Sequence, residues 1–95
     1  MAETVEEITV NFFDEEKKQL VKELDKKILT KGAWTTVMFK YQDLDKASDT
    51  FKECKYSIRR YQKTNGEYRS KSKFNISSAK QATQIIEILS EWIKE

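Results

Sequence analysis

The sequence predicts an α+β domain, a curved antiparallel β-sheet of about four strands backed by a C-terminal helix. Three observations carry this prediction. Residues 34–41 are rich in aromatic and β-branched residues, and along residues 52–63 the two alternate faces separate chemically. Asn65-Gly66 lies between two strand-like runs, and residues 78–94 carry apolar side chains at helical spacing.

The front of the chain is the least regular part. In residues 3–13, Val5, Ile8, Val10, Phe12 and Phe13 form either a short strand or an arm that packs elsewhere. Asp14 stands where a helix N-cap belongs, and Leu20, Val21, Leu24 and Ile28 recur at helical spacing. An N-terminal helix over about 15–29 is therefore expected, with Gly32 as its stop. This divides the chain into an N-terminal strand or helix extension, residues 1–33, and a sheet-plus-helix core, residues 34–95.

From Trp34 the rhythm becomes that of a strand. Trp34, Thr36, Met38 and Lys40 fall on one side, and Thr35, Val37, Phe39 and Tyr41 on the other. Residues 43–50 read as a polar connection. In the second strand Lys55, Ser57, Arg59, Tyr61 and Lys63 share one parity, opposite Cys54, Tyr56, Ile58, Arg60 and Gln62. Asn-Gly is the strongest short hairpin signal, so a third strand starts near Glu67. It continues through residues 69–77 as one strand, or as two with a bend near Ser70–Ser72. Strict alternation puts Arg69, Lys71, Lys73 and Asn75 on one side and Tyr68, Phe74 and Ile76 on the other. Tyr56, Ile58, Phe74 and Ile76 are then expected to face the core, leaving a basic row open. Ser77 or Ser78 caps the last helix, whose stripe of Ala82, Ile85, Ile86, Leu89, Trp92 and Ile93 is wide enough to reach a second subunit.

Composition narrows the chemistry. The 95 residues include no His and one Cys, so a Ser-His-Asp arrangement, a Cys-His pair, a His-containing zinc site and an internal disulfide are excluded from this chain alone. No spacing among Asp43, Asp45, Asp49 and Glu53 singles out a carboxylate pair for catalysis. Neither an enzyme nor a cofactor or metal site is expected. No apolar run is long enough to span a membrane, and the N-terminus is acidic, unlike that of a signal peptide. A cytoplasmic protein is expected, nucleoid-associated if the source is bacterial.

The net charge of +2 conceals an uneven distribution. Residues 1–30 have a balance of -3, residues 51–80 one of +7, and the last fifteen one of -2. A basic central block between acidic flanks suits a polyanionic partner. Cations that track phosphates beside aromatic rings that stack on bases are the ingredients of a single-strand binding surface. The candidate nucleic-acid-binding residues are Arg59, Tyr61, Lys63, Arg69, Lys71 and Lys73, joined by Lys40 and Tyr41 of the first strand.

From Cys54 to Ile93 the order is a strand ending in Ile58-Arg59-x-Tyr61, the Asn65-Gly66-Glu67 turn, a Lys-rich strand into Phe74-Asn75-Ile76-Ser77, and an amphipathic helix containing Gln81. This order resembles the core of the positive-cofactor-four type of transcriptional coactivators. The resemblance implies a curved antiparallel sheet with one helix, a homodimer, and paired basic β surfaces that hold single-stranded DNA. It also implies that Arg59 and Tyr61 line or support that surface, with Lys71 and Lys73 in its basic segment. The expected function is single-stranded DNA binding with little sequence specificity, alongside transcription or replication proteins. The alternatives are an RNA-binding protein, and an adaptor or structural dimer with an acidic partner.

Overall fold

The computed structural model describes residues 3–94. They form an α+β fold in which a curled, wholly antiparallel six-stranded sheet precedes a C-terminal helix. The strands are β1 (Phe12–Phe13), β2 (Gln19–Thr30), β3 (Trp34–Asp45), β4 (Thr50–Phe51), β5 (Lys55–Thr64) and β6 (Glu67–Ile76). The spatial order is β1-β2-β3-β5-β6, with β4 paired to the end of β3. The helix α1 spans Ala79–Ile93, and Ser78 caps it by accepting the Gln81 backbone N–H. The sequence placed this cap and helix correctly.

The segment expected to be an N-terminal helix is instead the long strand β2, paired along its length with β3. Register explains the error. Val21 and Glu23 oppose Asp43 and Tyr41, but a bulge at Leu24 shifts the pairing so that Lys26 and Ile28 oppose Phe39 and Val37. One extra residue swaps the parity of everything after it. The apolar spacing therefore imitates a helical period, although the chain is extended throughout. Asp14 uses the expected capping chemistry in another setting. Its carboxylate accepts the backbone N–H groups of Glu16 and Lys18, closing a tight turn in which Lys17 adopts a φ of 66°.

The polar connection is shorter than residues 43–50, because β3 runs on to Asp45 and β4 begins at Thr50. The β5–β6 hairpin turns on Asn65 and Gly66, whose φ values of 53° and 81° suit a two-residue primed turn. The bend expected near Ser70–Ser72 is a bulge: Tyr61 opposes Ser70 while Arg60 opposes Ser72, so Lys71 is the extra residue.

The core lies on the opposite side of the sheet from the one expected. Thr35, Val37, Phe39 and Tyr41 of β3 are buried together with Ser57 and Tyr61 of β5 and Tyr68 of β6. The cover is the N-terminal arm, which buries Val5, Ile8 and Val10 against this inner face. Lys26 pins the arm: its Nζ donates to the carbonyl oxygens of Val5 (2.7 Å), Glu6 (3.2 Å) and Ile8 (2.5 Å). On the outer face Phe74 is 54% exposed, and of the four residues expected in the core only Ile76 is buried. The helix meets the sheet mainly at β6, and none of its residues is buried. The expected backing of the sheet is thus confined to one edge, and Ile86, Leu89, Trp92 and Ile93 stay exposed.

Candidate nucleic-acid interface

The cations concentrate where β5 and β6 pair. Arg59 lies directly opposite Lys73, and Ser57 opposite Asn75, all on the inner face. The face is shared with the core: Ser57, Tyr61 and Tyr68 are buried on it, Arg59 is half-buried, and Lys63 and Lys73 are exposed. Lys63 faces the same way near the hairpin, its Nζ 5.4 Å from the Tyr68 ring centroid. The Arg59 guanidinium carbon lies 5.9 Å from the Phe39 ring centroid. These rings support cations from beneath, which keeps the charges raised toward solvent.

A hydrogen-bond chain fixes the central cation. Arg59 Nε donates to Ser57 Oγ at 3.0 Å, and Ser57 Oγ donates to Asn75 Oδ1 at 2.7 Å. Ser57 is fully buried, so the chain anchors the guanidinium in the sheet. Two like charges placed directly across a strand pair repel each other. Among the described residues, no carboxylate forms an ion pair with Arg59, Lys63 or Lys73. The nearby Asp43 is engaged by Lys55 at 2.9 Å. That hydrogen bond and charge pairing raise the Lys55 pKa above its ordinary value.

The eight candidate residues do not all share this surface. Arg59, Lys63 and Lys73 do. Tyr61 and Tyr41 point the same way but are buried, with 8% and 6% of their surface exposed, and act as core rings and not as stacking platforms. Burial raises both hydroxyl pKa values; Asp43 adds to the shift at Tyr41, and the neighbouring Arg59 opposes it at both. Lys40 opposes Tyr56 and lies on the outer face. The bulge at Lys71 puts Arg69 opposite Gln62, also on the outer face, where it approaches Glu67 at 3.9 Å. The single basic row expected from strict alternation is therefore divided between two faces.

Beside Arg59 the sheet and arm enclose a cleft of about 490 Å³. Tyr41, Asp43, Lys55, Arg59 and Asn75 line it, with Phe12 of β1. Lys55 and Asn75 share the sequence parity of Arg59, which was the available signal for both. Asp43 and Phe12 had no such signal, since they reach the cleft through the β2–β3 and β1–β2 registers. Phe12 is 57% exposed, an open ring beside the cations. On the outer face Trp34 is 43% exposed, with the Arg60 guanidinium carbon 4.7 Å from its ring centroid.

Comparison with protein-family models, curated proteins and solved structures gives no match to this chain. Among the described residues, no helix is long and apolar enough to cross a membrane.

Proposed function

We propose that this protein binds single-stranded DNA through the β5–β6 flank of its inner face, as a homodimer joined through α1. The observation that carries the reading is the uncompensated cross-strand pair of Arg59 and Lys73, extended by Lys63. Placing like charges opposite one another costs stability, and a polyphosphate chain relieves that cost. Extended backbone suits this row better than a duplex does, because the cations follow a curled strand pair with an open aromatic ring, Phe12, at one end. The order of strand, Asn-Gly turn, basic strand and amphipathic helix, which resembles the coactivator-type family, supports a role in transcription or a related DNA transaction. The exposed apolar stripe of α1 supports the dimer, since an isolated chain would leave Ile86, Leu89, Trp92 and Ile93 in water.

The test is an equilibrium titration of the full chain at low salt against labelled DNA, single-stranded and duplex in parallel. The proposal expects tighter binding to the single strand. Equal binding to both forms would reduce the surface to a general polyanion site. Binding to neither would favour an acidic protein partner.

A further inference from the structure

The cleft beside Arg59 carries both hydrogen-bonding signs, which a surface that only tracks phosphates does not need. On one side it presents the Arg59 fork, whose Nε is spent on Ser57, and the Asn75 side-chain amide, whose oxygen is spent on Ser57. The guanidinium also reaches the Tyr61 hydroxyl, so the donors left over are the remaining terminal guanidinium N–H groups and the Asn75 amide nitrogen. On the other side is Asp43, with Oδ2 held by Lys55 at 2.9 Å. Among the described residues, its Oδ1 takes no hydrogen bond and remains an acceptor. Phe12 of β1 supplies an open apolar ring.

This set discriminates among nucleobases. Guanine pairs an acceptor edge, O6 and N7, with a neighbouring donor edge, N1–H and the 2-amino group. Arginine satisfies O6 and N7 in a bidentate manner, while a carboxylate accepts the donor edge. Adenine presents a donor where guanine has O6, thymine has one ring N–H and no amino group, and cytosine lacks the N7 acceptor. The volume suits one nucleotide, since pockets for small ligands run from about 300 to 1,000 Å³. We infer that this cleft is a subsite for a single guanine nucleotide, with Arg59 and Asn75 on its acceptor edge, Asp43 on its donor edge and Phe12 stacked on its plane. The inference rests on the strand-binding reading and adds to it one position at which a largely sequence-tolerant surface reads a base.

The experiment compares an all-thymine oligonucleotide with versions carrying one central guanine, adenine or cytosine, using the full chain. One central guanine is expected to tighten binding about tenfold, the effect of one bidentate base contact, while adenine and cytosine give little. Asp43→Asn is expected to remove the guanine advantage, read as the ratio of affinities for the guanine-bearing and all-thymine strands, since freeing Lys55 from its carboxylate strengthens phosphate binding to both alike. A second measurement does not depend on that variant folding: dGMP alone, titrated while the Asn75 side-chain amide is followed by NMR, should shift that resonance more than dAMP, dCMP or dTMP does. Equal affinity for all four oligonucleotides, with dGMP leaving Asn75 unmoved, overturns the subsite and leaves the strand-binding reading standing. If no oligonucleotide binds but dGMP still moves Asn75, the strand reading falls and the subsite stands as a nucleotide site. Silence in both measurements overturns both.

Discussion

Lys26→Met isolates the anchor of the arm that walls the cleft. An ammonium group has three N–H donors, and here all three go to carbonyl oxygens of Val5, Glu6 and Ile8. Methionine keeps most of the apolar stem and donates nothing. The Glu6 carbonyl is exposed and can return to water, so its bond contributes little. The bonds to Val5 and Ile8 are part-buried, and hydrogen bonds to charged groups contribute about 1.5–3 kcal/mol each. Release of the arm limits the sum, since the carbonyls rehydrate once Val5, Ile8 and Val10 leave the sheet. The expected loss is about 3 kcal/mol, which for a domain of this size lowers Tm by roughly 12–24 °C. Urea denaturation measures the loss directly, with Lys27→Met at the next, exposed position as a control expected within about 0.5 kcal/mol of the parent. Limited proteolysis should cut the arm of Lys26→Met first. A loss no larger than the control's, with the arm still protected, would refute the anchoring argument.

Two further perturbations probe the core and the helix. Burial favours the neutral forms of Tyr41 and Tyr61, so their folded pKa values lie above the ordinary value near 10. The associated stability is complete below about pH 10 and is lost as pH rises through the folded values; ultraviolet titration should show late-ionising tyrosine, and Tyr61→Phe should remove part of that phase. If all tyrosine absorbance rose in one step near pH 10, the burial of these rings would be contradicted. Leu89→Glu with Trp92→Glu puts two charges in the exposed stripe of α1 while keeping its helical propensity, and sedimentation should show the parent's mass halved without loss of helix. A parent that sediments as a monomer at all concentrations would remove the dimer from the proposal.

The parts of the fold legible in the sequence were those fixed by local chemistry. Asn65-Gly66 specifies its turn because both residues tolerate positive φ, and Ser78 caps α1 because its hydroxyl reaches the Gln81 N–H. The errors trace to two bulges. At Leu24 the extra residue disguised a strand as a helix, and at Lys71 it sent Arg69 to the face opposite Lys73. A bulge depends on pairing with another strand, and a single strand's alternation does not reveal it. The choice of core face failed for a related reason. Tyr61 and Tyr41 look like surface rings among charges until the arm is folded over them, and the arm's path depends on Lys26, some twenty residues away in the chain. Arg59, Lys63 and Lys73 survived as a group because their positions on the hairpin bracket the second bulge in the right register. The cleft was not legible as a unit, since Phe12, Asp43 and Asn75 come from three separate strands.

The salt dependence of single-strand binding, measured on the parent and on Arg59→Ala with Lys73→Ala, tests the central claim most directly. Each phosphate contact to a single strand contributes about 0.7 to the slope of log K against log salt concentration. If Arg59 and Lys73 each neutralise one phosphate of an all-thymine strand, the double variant keeps its fold, binds more weakly, and its slope is shallower by about 1.4. An unchanged slope in a folded double variant would place the bound strand elsewhere and contradict the account.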